Sequence, residues 1–277
     1  MKEFQTENTT VQRQFLDKVE SIAKTYLPAK ISLAEANQQN FLNVFSYLFL
    51  TKYLRTYEAL LLLIDKQYAE DAAILLRSLF EIWVKVLRTS KYPNESSRLN
   101  MIQFLRCDNR GLNYLKKNSN SQSSSAFDYQ KEDVINDQKI RYYIDELKKV
   151  NQEVGEKTDV DYKSTPHGDV WWPGKKLYDL LKENNSNTTW LYEYAYKNSS
   201  NIVHSNAGIL LPLYCDNVGE DIVPRNAPDG SHIDAIGIVA SGMLIDILDA
   251  INRLYQLSRE KEIALINKEY AEIIKLG

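Results

Sequence analysis

The sequence predicts an all-α protein, a single multi-helix bundle over residues 1–277 with long central helices and irregular loops that hold tryptophan, proline and glycine. Apolar residues recur at spacings of three and four over several long stretches, as they do in helices that turn one face to a core. No run of alternating apolar and polar residues is long enough for a sheet, because a half-buried strand needs a period of two. Pro28 and Pro93 fall where periodic stretches stop, as expected of a residue with no N–H to donate.

Val11, Phe15, Val19, Ile22 and Ala23 mark a first amphipathic helix that Pro28 ends. A second helix is expected from about Ala34 to Lys66, with Lys52, Arg55 and Glu58 interrupting an otherwise apolar stretch. Those charges make it a buried helix of a globular protein rather than a bilayer span, which needs about 20 predominantly apolar residues. The third, from about Glu70 to Ser90, is apolar around most of its circumference, and a helix greasy on most sides is packed on most sides. A fourth is expected over about Glu95 to Lys117, followed by a mobile Ser/Asn-rich loop at 118–130. A charged helix over about Lys131 to Val154 precedes an irregular connector, Gly155 to Gly174, anchored by Trp171 and Trp172. Shorter helices are expected over about Lys175 to Glu183 and Thr188 to His204, then a long loop at 213–230 with Pro224, Pro228 and Gly230. Two helices, from about His232 to Leu257 and Glu260 to Leu276, close the chain.

With 34 basic and 37 acidic residues the net charge is −3, so no global field draws the chain to nucleic acid or an acidic membrane. RNA would have to enter a local pocket, and no membrane contact is expected. Cys107 and Cys215 stand alone, which rules out a zinc ribbon and argues against a secreted disulfide scaffold; a reducing cytoplasm is the simplest compartment. Met1 to Thr10 lacks the basic start and apolar core of a secretory signal. The sequence carries no glycine-rich phosphate loop, histidine pair at metal-binding spacing, nucleophile elbow or paired cysteines. No metal and no cofactor are expected.

Two constellations stand out. On the third helix Glu70, Arg77, Glu81, Lys85 and Arg88 fall within about 80 degrees of one another at about 100 degrees per residue. The stripe is either a thin solvent-facing strip or the lining of a cleft, where Arg77 grips an anion and Glu81 holds Arg77. On the later helix Glu193, Lys197, Ser200 and His204 follow one another at four, three and four residues. His204 is a candidate general acid or base near neutral pH, or a structural histidine at a helix end. Lys197, Ser200 and Asn201 are candidate ligand contacts. Trp172, beside Pro173, is either a stacking platform for a base or a core plug.

The run Ala73, Ile74, Leu75, Leu76, Arg77, Ser78, Leu79, Phe80, Glu81, followed by Trp172, Gly174, Lys176, Leu177 and then Tyr194, Ser200, Val203, His204, resembles an uncharacterised prokaryotic helical family of the domain-of-unknown-function type. The resemblance covers roughly Phe41 to Leu211. It implies a fold in which an Arg and a Glu on one core helix face a His on a later one. More loosely, the chain is similar to HEPN helical bundles, many of them metal-independent ribonucleases of toxin and antiviral systems whose sites meet at a dimer interface. In those an Arg, a polar residue and a His share one helix. Here Lys, Asn, Ser and Ser occupy 197 to 200, so Lys197 or Arg77 would take the arginine's part.

Two expectations follow. One is a ribonuclease-like effector with Arg77, Glu81 and His204 as its catalytic group, acting as a homodimer or with a partner protein. The other is a non-catalytic helical module in which the same residues form a polar network or receive a small anionic ligand or partner.

Overall fold

The computed structural model describes residues 2–28, 38–97, 99–100, 138–139, 141–142, 145, 170–172, 175–184, 188–203, 215–218, 221–224 and 233–275. Helix α1 spans Lys2–Lys24, α2 Gln38–Asp65 and α3 Ala69–Lys91. Strands β1 (Val170–Trp172) and β2 (Lys175–Lys176) precede α4 (Leu177–Asn184). A broken helix follows, made of α5 (Thr189–Leu191), a π-helical segment (Tyr192–Lys197) and α6 (Asn198–Val203). Strands β3 (Cys215–Val218) and β4 (Asp221–Pro224) come next, then α7 (Ile233–Tyr255) and α8 (Glu260–Ile274). The fold is all-α, as its periodicity predicts.

Two short antiparallel ribbons, β1 with β2 and β3 with β4, are the departures. The first falls in what reads as an irregular connector and takes Lys175 and Lys176 from the expected start of α4. The second corrects the expected long loop at 213–230, for Cys215 pairs with Pro224 and Val218 with Asp221. A pair of four-residue strands is too short to show a period in the sequence. The expected mobile loop at 118–130 and most of the two expected helices flanking it lie outside the described residues.

The sequence reading takes the chain as one domain; the structure divides it into two compact units. One comprises Met1–Lys30, Ser46–Lys91 and Leu177–Gly277, the other Ile31–Phe45 and Tyr92–Lys176. In the first unit α3 is central, and its most extensive packing is against α7. Leu76, Leu79, Phe80, Trp83 and Val84 of α3 are buried, as are Ala240, Leu244, Ile247, Leu248 and Ile251 of α7. Two apolar helices in contact remove each other's surface from water, at about 25 cal/mol per Å² of apolar area. Helices α1 and α8 pack against α7, while α4, the π segment and α6 pack against α3.

Several buried hydroxyls in this core are hydrogen-bonded. The buried Tyr53 hydroxyl donates to the carbonyl of Ala240 at 2.7 Å. Ser241 donates to the carbonyl of Gly237 at 2.9 Å, so the Tyr57 hydroxyl, 2.6 Å from Ser241 Oγ, is the donor in that pair. An added Cβ at Gly242 would run into the Tyr270 ring and hydroxyl, so this glycine lets α8 approach α7. The turn from α2 to α3 puts Gln67 at φ 61°, while Tyr68 N–H bonds to the Leu63 carbonyl at 3.0 Å. That is a left-handed helix stop made without the usual glycine.

Candidate functional site: an arginine between two helices

Arg77 and Glu81 stand one turn apart on α3, which brings their side chains onto one face. Arg77 Nε lies 3.4 Å from Glu81 Oε1, and the side chains are 19% and 20% exposed. They line an enclosed place rather than an open strip. The rest of the stripe behaves likewise: Glu70 is 7% and Arg88 1% exposed. Arg88 pairs with Glu183 of α4 at 2.5 Å, and Lys85 lies over the Phe49 ring at 6.0 Å. Helix α4, the π segment and α6 pack against α3, and the contacts of Arg88 with Glu183 and of Arg77 with Ser200 bring them to this stripe.

The broken helix supplies the facing wall. Arg77 Nη1 donates to Ser200 Oγ and Nη2 to the Tyr196 hydroxyl, each at 3.4 Å. The guanidinium carbon stands 4.7 Å from the centre of the Tyr196 ring, within the range where a cation is drawn to an aromatic face. Arg77 Nε is buried and has no hydrogen-bond partner among the described residues; its approach to Glu81 is close enough for charge attraction but lacks hydrogen-bond geometry. Burial pushes the Glu81 carboxyl above its usual range, against the pull of Arg77 and Lys85.

The aromatic surround comes from the π segment. Tyr192 stacks on Tyr196 with centroids 5.2 Å apart, and Phe80 of α3 approaches both rings at 6.4 and 6.1 Å. Tyr178 of α4 meets Tyr192 edge-on at 5.2 Å. A π turn hydrogen-bonds from i to i+5 and so carries an extra residue. This changes the face expected from α-helical spacing. Lys197 and Glu193 form an exposed ion pair at 2.9 Å, whereas Ser200 turns inward to Arg77. Hydrogen bonding to Glu193 pushes the Lys197 ammonium above its ordinary value.

Of the predicted residues, the structure thus brings together Arg77, Glu81 and Ser200, and it leaves Lys197 with Glu193 on the exposed side. Asn201 lies in α6 and Trp172 in β1, paired with Lys175; their side chains, and all of His204, lie outside the described residues. Tyr196 was missed, although it precedes Ser200 by four residues, the same interval that separates Arg77 from Glu81. Among the described residues no group of three His, Cys, Asp or Glu side chains is placed to hold a metal ion, and no helix is long and apolar enough to cross a membrane.

The model of the Family of unknown function (DUF5677) matches residues 43–220. The chain belongs to this family, and the matched span covers both Arg77 and Ser200. It also agrees with the resemblance read over Phe41 to Leu211. No curated protein and no solved structure matches the chain.

Proposed function

We propose that this member of the family is a cytoplasmic, metal-independent ribonuclease-like effector of a bacterial toxin or antiviral defence system, in which Arg77 receives a phosphate of bound RNA. The observation that supports it is the state of the guanidinium. Arg77 is largely enclosed, and among the described residues its two Nη groups make only 3.4 Å contacts and its Nε has no hydrogen-bond acceptor. A donor-rich fork with weak partners suits an incoming oxyanion, since charge-assisted bonds of that kind run at about 2.7–2.9 Å.

In this reading the RNA 2′-hydroxyl attacks the adjacent phosphorus and its proton passes to His204. The bond from phosphorus to the 5′ oxygen breaks, and that oxygen takes a proton from water, leaving a 2′,3′-cyclic phosphate and a 5′-hydroxyl end. Arg77 offsets charge on the phosphorane, and Glu81 is the residue that positions Arg77. Ser200, Asn201, Lys197 and Trp172 serve RNA binding, and the active form is a homodimer or a complex with a partner protein.

A second reading has its own observation. The cation stacked on Tyr196, with both Nη groups turned to protein oxygens, suits a non-catalytic polar network that fixes α3 against the broken helix, or that receives a small anionic ligand or protein partner. One experiment separates the two. The purified chain is incubated with single-stranded RNA in the presence of a chelator, beside His204→Ala and Arg77→Ala, with melting temperatures recorded. The enzyme reading expects cleavage by the wild type and a loss of about 100-fold or more in each variant, at little cost in stability. Intact RNA with wild-type protein, together with a loss of about 3 kcal/mol on Arg77→Ala, selects the network.

A further inference from the structure

On another face of α3 lies a pocket of about 410 Å³ between α3 and α7. At about 100 degrees per residue, Trp83 and Leu87 point about 80 to 160 degrees away from Arg77 and Glu81, roughly a third of a turn on average. The apolar wall is Trp83 and Leu87, and the opposite wall carries Asp246, Asp249 and Arg253 of α7. Lys91, Ser90 and Thr188 also line it.

The charges in this pocket are unevenly matched. Arg253 is committed to Asp249 at 3.0 Å. Lys91 donates to the carbonyl of Glu183 at 2.5 Å. Asp246 has a single hydrogen bond among the described residues, accepted by Oδ2 from Trp83 Nε1 at 3.1 Å, and no cation is paired with it there. Water reaches this carboxylate, yet it stands in a recess walled by protein, so its hydration shell is incomplete. Desolvation accordingly pushes its carboxyl up to about 6.

We propose that this pocket binds a small organic ammonium ion with an apolar arm, its N–H groups donating to Asp246 and its arm lying along the edge of Trp83 and Leu87. The volume falls within the range of small-molecule sites, about 300–1,000 Å³. A primary ammonium carries three donors, enough to bridge both carboxylate oxygens and a hydroxyl of Ser90 or Thr188. Anions are disfavoured because the pocket's cations already have acceptors. This site is independent of the Arg77 reading, and either can fail alone.

The pH dependence follows from the groups around Asp246. These are Asp249 and Arg253 on its own helix, Lys91 on α3, and the Tyr53 and Tyr270 hydroxyls of α2 and α8, whose titrations feel its charge. Burial holds both hydroxyls in the neutral form, Tyr270 at about 12. Calorimetric titration of the whole chain with phenethylammonium chloride tests the site. Saturable binding is expected at pH 8, about tenfold weaker at pH 5, where roughly a tenth of Asp246 is ionised. Asp246→Asn, which keeps an acceptor for Trp83, is expected to weaken binding at least tenfold at pH 8. The proposal is overturned if wild type shows no saturable heat up to about 10 mM, or if affinity is equal at pH 5 and pH 8. Equal binding of 2-phenylethanol, the same arm without its charge, or undiminished binding by a folded Asp246→Asn variant overturns it as well.

Discussion

Helix α3 carries two polar sites on different faces, and they are opposite in construction. Around Arg77 a cation meets many partners, all distant: a carboxylate, two hydroxyls and an aromatic face. Around Asp246 an anion meets one partner among the described residues, at 3.1 Å, and opens into a pocket. The first site is held by the packing of its surroundings, above all the Tyr192 and Tyr196 stack. The second is held by one directed bond and bears the cost of incomplete hydration, which shows as the raised carboxyl of Asp246. A charge walled by protein can therefore persist either through a diffuse set of weak contacts or through a titration shifted toward neutrality.

The largest effect that separates the two is expected at Tyr196. Tyr196→Ala removes a ring only 6% exposed and should cost about 3–5 kcal/mol, whereas Tyr196→Phe should cost under about 1 kcal/mol because the lost hydroxyl contact is long. Chemical denaturation of both variants measures this, and equal losses would mean that the hydroxyl rather than the ring holds the cluster.

At Asp246 the order reverses, so the directed bond matters more than the ring. Trp83→Phe keeps an aromatic in place and should still cost about 1–2 kcal/mol. It should also move Asp246 above its present value of about 6, because the Trp83 N–H favours the charged form. Carboxyl NMR titration reads that shift directly; a fall would contradict the assigned bond.

The smallest effect has the opposite sign. Asp246 titrates at about 6 folded against a reference of 3.8, so its ionisation penalty is absent below about pH 4 and complete above about pH 6. Asp246→Asn should therefore stabilise the chain at pH 8, by on the order of 1 kcal/mol once solvent screening of this exposed group is allowed for. The gain should vanish by pH 4, and melting curves across that range would show whether it does.

Arg77 and Glu81 could be read from the sequence because both lie on one regular helix, where spacing converts directly into a shared face. Ser200 is legible for the same reason, but its companion Lys197 is not, since the π segment that ends at Lys197 breaks the α-helical spacing that predicts their shared face. Asp246 gave no such signal. A lone acid between Ile245 and Ile247 in an apolar helix becomes notable only when Trp83, 163 residues away, donates to it.

What the sequence by itself determined is the helical class, the position of the long helices and the nearly all-apolar character of α3. These are local properties, written in the three- and four-residue period and in the prolines that interrupt it. Only the tertiary structure decided that α7 shares the core with α3, that the polar stripe is covered by α4 and the broken helix, and that a charged pocket lies behind it. Each of these depends on which surface meets which, and that is set by packing between segments far apart in the chain.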